Sequence, residues 1–496
     1  MTIGRRRFVT ISSIGVAGCA FGRLPLLGQV ATQTPLHTSP QPVSPQRGAK
    51  TTATPPARFA RQVADYICNV RFEDLDRAAV DHAKEHLIYH VSLAFTGALT
   101  EPGHQAIEIA RMLSEGRGHT TIAGQSFKVP PLEAAFANCT FMRALGLDDV
   151  LFPSATHPGI LIYPVALALG EQYHRSGKDL LTALITGYEV LGKMITVDAQ
   201  MSRAPRRPSM PFGPFGATAV AIKLMRLNSL QAANAIGYAA DTAMGLQEGN
   251  ESLPTHQYSW VCRNGITAAI LAEAGGETAP TILEGKYGFY ATLLGEIPDV
   301  DAVISRLGKD PEILRATQKR YPGTAMNIVP IQLLLEMIER ERLSASNVAR
   351  VEIELPDDRQ NFEDSYSTGP FPTRTQAASS VAFQTAIILL DGHIDFARYD
   401  QRENPEILAQ IQKIKITLAP HKNTRYARLR IATVDGRSLE REGDDYVFAP
   451  LDGPAWLSKD GEKFVPRAKL THFAELVRDL ENVSDIGELM ACLVPA

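Results

Sequence analysis

From Ala57 to about Leu314, apolar residues recur at intervals of three and four, the spacing that lines one face of a 3.6-residue helix. Leu75, Ala79, Ala83, Leu87 and Val91 trace one such face, and Gly97 is placed to end that helix. Pro130-Pro131 opens another, carrying Leu132, Ala135 and Phe141. Helical patterns continue over Ile160–His174 and Leu180–Met194, separated at Gly177, then over Gly216–Leu227, Gln231–Met244 and Trp260–Ala274. Small residues are dense throughout, which lets helix axes approach closely.

After Lys319 the period changes. Val348–Leu355, Ile414–Leu418 and Ala427–Val434 alternate apolar with polar, and Asp435-Gly436 predicts a hairpin returning through Ser438–Glu442. Helices are predicted at Ile331–Arg340 and at Thr375–Asp391, the second ended by Gly392. Lys469–Leu480 is helical again. The pattern predicts a mostly α protein: a large all-α domain over 57–315, a smaller α+β lid over 316–450, and a helical segment over 451–496 packing back on the first domain.

The first 56 residues follow neither period. Arg5-Arg6-Arg7-Phe8-Val9 opens a basic stretch, and Phe8–Gly18 is weakly apolar and far shorter than the about 20 residues a membrane span needs. This is the pattern of a twin-arginine export signal, assigned to 1–28, and it predicts a periplasmic protein. Val16-Ala17-Gly18-Cys19 has the form of a lipoprotein cleavage box, which makes Cys19 a candidate lipid anchor. Residues 29–56 are rich in Thr, Pro, Gln and Ser and cannot bury enough apolar surface to offset chain entropy, so a disordered linker is expected.

Composition narrows the partners. An apolar content of 45% supports a sizeable core, and a net charge of −4 without a Lys/Arg cluster interleaved with aromatics argues against nucleic acid. Cys68, Cys139, Cys262 and Cys492 lie far apart in apolar helical contexts and are expected as free thiols.

The chemistry concentrates between Asn138 and Val190. Asp148 and Asp149 end one helical pattern, and His157-Pro158-Gly159 closes the loop that follows. An imidazole titrates near neutral pH, so His157 can take or give a proton, with Asp148 or Asp149 to orient it. Lys319, opening the lid in Lys319-Arg-Tyr-Pro-Gly323, can reach back across an interdomain cleft. Arg263 opens a helix as either a ligand group or an ion-paired cap. His82-Ala-Lys-Glu85-His86 matches an inverted zinc-protease pattern, extended by His90, but no acidic ligand helix follows; a solvated or dimer-facing histidine stripe is expected, and no metal. Gly177-Lys178-Asp179 lacks the Ser/Thr of a phosphate loop, and no dinucleotide fingerprint follows a strand, so no cofactor is expected.

Four blocks carry a resemblance to a known family: Asn138–Val190, Phe212–Leu246, Cys262–Phe289, and Lys319–Gly323 with Ala382–Gly392. Together they resemble the MmgE/PrpD family, which includes 2-methylcitrate dehydratase, cis-aconitate decarboxylase and iminodisuccinate epimerase. The resemblance implies a homodimer acting without a cofactor on a small polycarboxylate, in a cleft between the helical domain and the lid. It implies catalytic roles for His157, Asp148, Asp149 and Lys319. Arg143, Arg207, His256, Arg263 and Thr324 are the implied substrate contacts. Arg143 and Arg207 stand where the family has histidines, Gly146 replaces an aspartate, and Val150 and Leu151 replace Thr and His. Pro254 takes the place of a lysine, Gln257 that of a histidine with His256 adjacent, and Phe383 that of a tyrosine. Thr324 falls near a family His or Cys. A dehydratase or decarboxylase is the first expectation; an epimerase in the same cleft and a non-catalytic carboxylate-binding protein are the alternatives.

Overall fold

The apolar stripes meet as a body of helices. A computed structural model describes residues 59–115, 117–152, 154, 156–195, 209–243, 245, 255–295, 297–357, 363–423, 425–444 and 452–495. The export signal, Cys19, the linker, Arg207 and Pro254 lie outside the described residues. The body consists of α1 (Phe59–Asn69), α2 (Arg77–Ala98), α3 (Glu101–Ser114), α4 (Pro131–Arg143), α5 (Gly159–Gln172), α6 (Gly177–Ile195), α7 (Ser209–Met225), α8 (Ser229–Asp241) and α9 (Thr255–Glu273), with shorter turns after it. α5 is apolar on all sides and is buried from Gly159 to Glu171, the mark of a central helix. Around it α4 packs on α2 and α9, and α7 on α6 and α9. Leu457, Leu470 and Phe473 of the C-terminal helices Gly453–Gly461 and Arg467–Arg478 join the same core. None of the described helices is long and apolar enough to cross a membrane. Cys68, Cys139, Cys262 and Cys492 are free thiols.

Two short ladders, β1 (Thr120–Thr121) with β2 (Lys128–Val129) and β3 (Val150–Leu151) with β4 (Ala316–Thr317), are antiparallel. The lid holds β5 (Val348–Pro356), β6 (Ile414–Ala419), β7 (Ala427–Thr433) and β8 (Ser438–Gly443) in the order β6-β5-β7-β8, with β6 parallel to β5 and the other pairs antiparallel. Val351, Ile353, Leu355, Leu429 and Ile431 form a second core with the helices Ile328–Glu341 and Val381–Asp391. Charges interlock on the opposite face, Arg428 Nε to Glu442 at 2.8 Å and Arg430 Nε to Glu440 at 2.7 Å. The architecture is mostly α with a smaller α+β part, as the change of period from helical to alternating required.

One predicted helix is two. Thr375–Asp391 divides into Arg374–Ser379 and Val381–Asp391 at Ser380, whose ψ of 122° is extended. The Ser380 hydroxyl accepts the Phe383 N–H at 3.0 Å and donates to the Ser367 carbonyl at 2.7 Å, so a local side-chain cap outcompetes helix continuation. Ser380→Ala should therefore cost about 1–2 kcal/mol in urea unfolding; an unchanged midpoint and slope would remove the cap from the account.

Candidate active site

The turn after α4 delivers Asp148 to a position with no solvent exposure. Its partners come from three places. Arg143 Nη1, at the end of α4, donates to Asp148 Oδ1 at 2.6 Å. His157 Nδ1, in the loop before α5, lies 2.9 Å from Asp148 Oδ2. Lys319 Nζ, just past β4, is 3.8 Å from Asp148 Oδ1 and donates to the Gly323 carbonyl at 3.3 Å. Burial by itself raises the Asp148 pKa, but the charges of Arg143, Lys319 and His157 outweigh it and hold the carboxyl well below its usual range.

His157 Nδ1 is also 2.9 Å from the Asp149 backbone carbonyl, toward which its N–H is directed. That bond assigns the proton to Nδ1 and the lone pair to Nε2. Burial pushes the imidazole below its ordinary 6.5; Lys319 and Arg143 push the same way and Asp148 opposes them. The ring is neutral at pH 7, with 16% of the side chain exposed. Arg143 also lies over the Tyr258 ring at 4.6 Å, and the same ring meets His157 edge-on at 6.1 Å. Tyr258 carried no sequence signal, because a tyrosine on an amphipathic helix reads as core.

Lys319 reaches this cluster because β3 and β4 pair in the register Val150↔Thr317 and Leu151↔Ala316. The turn after Lys319 rests on the lid: Gln384 Nε2 donates to the Pro322 carbonyl at 2.8 Å and Gln384 Oε1 accepts from Asn327 at 2.9 Å.

Asp149 turns the other way. Its carboxylate accepts from Tyr188 Oη at 2.7 Å and from the Gly159 N–H at 2.9 Å, with His90 Nε2 at 3.3 Å and His86 Nδ1 at 3.7 Å. Burial raises the Asp149 pKa, but His86 and His90 outweigh it and draw the carboxyl far below its usual range. His86 and His90 have no exposure, so the expected solvated or dimer-facing stripe is wrong: the Asp149 carboxylate pulls this face of α2 inward. Burial lowers the His86 pKa to about 4, so the ring is neutral. Glu85 is exposed, and among the described residues no His, Cys, Asp and Glu side chains are grouped to hold a metal ion. Gly159 is required here, since a Cβ at that position would lie 2.1 Å from His90 Nε2 and 2.6 Å from Asp149 Oδ1.

The remaining candidates make other contacts. His256 Nδ1 lies 3.5 Å from Thr140 Oγ1 and Nε2 lies 3.3 Å from Gln105 Oε1, on the α3–α4 side of α9. Arg263 donates to Glu133 at 2.8 Å between the Phe136 and Trp260 rings, an ion-paired helix contact rather than part of the Asp148 cluster. Thr324 caps the short turn Ala325–Asn327 through the Met326 N–H. Phe383 is buried between Phe371 and Tyr399.

Models of the MmgE/PrpD N-terminal and C-terminal domains match residues 61–299 and 321–465. The chain is similar to cis-aconitate decarboxylase of Mus musculus, 24% identical over 457 residues that cover 87% of this chain and 92% of that protein. The Homo sapiens cis-aconitate decarboxylase is 25% identical with coverage of 87% and 93%, and that of Aspergillus terreus is 23% identical with coverage of 87% and 95%.

Both site carboxylates are depressed in the folded state, so they stabilise it above the unfolded pKa of about 3.9, and that contribution is lost as pH falls below it. Asp149→Asn leaves the Tyr188 hydroxyl or the Gly159 N–H short of its acceptor and should cost about 1–3 kcal/mol at pH 7, and it should flatten the fall of stability below pH ~4 relative to the parent chain. Urea unfolding across a pH series measures both, and equal acid slopes in the two proteins would refute the assignment.

Proposed function

The chain belongs to the MmgE/PrpD family, and from that premise we propose that it is a lyase of dehydratase or decarboxylase type acting on a small polycarboxylate. One observation carries the reading: a neutral imidazole in a fixed tautomer, paired with an ionised buried carboxylate and flanked by two cations. Eliminating water next to a carboxylate requires a base for the carbon-bound proton and positive charge for the electrons left behind. His157 Nε2 is the base. As it takes the proton, Asp148 stabilises the imidazolium. Lys319 and Arg143 supply the positive field on the carbanion-like carboxylate, and the departing hydroxyl takes the proton back from the His157 imidazolium to leave as water. In a decarboxylation the same field holds the electrons released with carbon dioxide, and the carbon then takes a proton from solvent water relayed through His157 Nε2. The names of the cis-aconitate decarboxylase relatives support the second variant.

The non-catalytic reading is favoured by the replaced positions, since Val150 and Phe383 are fully buried and carry no proton. Turnover assays with 2-methylcitrate, citrate, cis-aconitate and imino-dicarboxylates separate the readings. Deuterium wash-in without loss of water or carbon dioxide would identify an epimerase instead. Because base catalysis needs neutral His157, whose pKa lies below 6.5, kcat/KM should be flat at neutral pH and fall on an acid limb below it. His157→Gln should lower kcat/KM by about 10²–10⁴-fold, and full activity in that variant would end the mechanism.

The Arg5-Arg6-Arg7-Phe8-Val9 pattern supports export to the periplasm, and family membership supports a homodimer. Replacing Arg5 to Arg7 with Lys should retain the protein in the cytoplasmic fraction; unchanged partition on cell fractionation would exclude this route.

A further inference from the structure

We propose that Tyr89, on α2, is the positioning residue that sets Lys319 against the Asp148–His157 pair. Its ring is buried, and its hydroxyl accepts the Lys319 N–H at 3.0 Å, lies 2.9 Å from the Lys319 carbonyl, and contacts the Leu147 carbonyl. One oxygen therefore touches the backbone of both segments that build the site, at Leu147 beside Asp148 and at Lys319 itself. No backbone ladder does this, because the β3–β4 register ends at Thr317. Tyr89 takes over where the strand stops, and Gln384 holds the far end of the turn at Pro322.

The ring is fixed as firmly as the hydroxyl. Leu93, Leu145 and Leu147 pack around it with Phe396 of the lid and Trp456 of the C-terminal helix, the Trp456 centroid at 6.0 Å. This small cluster joins body, site loop, lid and tail under Lys319. The Lys319 N–H is tied to α2 through this hydroxyl, so removing the hydroxyl loosens the backbone that aims Nζ at Asp148.

The consequence is readable at His157. The charged and titratable groups facing that ring are Asp148, Arg143, Lys319 and Tyr258. Lys319 and Arg143 depress the imidazole, whereas Asp148 raises it. Moving Lys319 away therefore raises the His157 pKa. The kinetic counterpart rests on the lyase reading above, but the titration does not.

The test is an NMR titration of full-length protein labelled with ¹³C at histidine Cε1, with His157 identified by its loss in His157→Gln. Tyr89→Phe should raise the His157 pKa in the same direction as Lys319→Met and by at least half as much. In the double variant, Tyr89→Phe should add nothing. Trp456→Ala, which loosens the packing but keeps the hydroxyl, should lower the Tm and leave His157 unmoved. An unshifted His157 in Tyr89→Phe, additive shifts in the double variant, or an equal shift in Trp456→Ala would overturn the proposal. If Tyr89→Phe does not fold, hydrogen exchange on the unaltered protein decides: a protected Lys319 amide supports the proposal and a rapidly exchanging one refutes it. Where turnover is found, the acid limb of kcat/KM should move up in Tyr89→Phe; absent turnover would sink the lyase reading and leave the His157 titration to judge Tyr89.

Discussion

An ionised carboxylate sealed from water costs several kcal/mol unless its charge is met at close range, and Asp148 is sealed completely. That requirement organises the site. Its partners arise from the end of α4, the loop before α5 and the turn after β4, elements far apart in sequence and, in the last case, on the lid side of the molecule. The body and the lid must therefore be joined beside Asp148, and the β3–β4 ladder makes that joint. If the lid shifted, a buried charge would lose one of its two cations, so electrostatics and domain arrangement are coupled at this point.

The same constraint bears on Arg143. A guanidinium keeps its charge at any working pH and grips a carboxylate with directed N–H groups. Here that grip is on Asp148, with the Tyr258 ring behind it. Arg143 thus strengthens the internal pair. With two cations to one carboxylate the cluster retains positive character beside the His157 imidazole.

The helices were legible because their cores are set by apolar periodicity, and the lid because its strands alternate. The Asp148–His157 loop was legible because loops between buried helices concentrate polar groups. What escaped had no local signature. The β3 and β4 strands are two residues each, too short for a period, so nothing in the sequence said that Thr317 would sit beside Val150. His82, His86 and His90 have the spacing of any helix face, and only the carboxylate opposite them makes that face internal. Ser380 stopped a helix by a side-chain bond inside an otherwise continuous apolar run. His256 and Arg263 share α9 with Tyr258, but they point to Gln105, Thr140 and Glu133 on α3 and α4, which periodicity along α9 alone does not reveal.

The two adjacent aspartates show how little sequence separation matters once backbone direction is fixed. They lie in the bend just before β3, and their side chains turn to different clusters. One position places Asp148 among Arg143, His157 and Lys319; the next places Asp149 among His86, His90, Tyr188 and the Gly159 N–H. Asp149 also bears on His157 through its main chain, because anchoring its carboxylate fixes the carbonyl that faces His157 Nδ1. A one-residue slip would exchange the environments: the charge-paired carboxylate would face His86 and His90, and the hydrogen-bonded one would face the cations. The paired acidic motif is thus two devices, an electrostatic partner and a mechanical anchor, set one residue apart in the bend before β3.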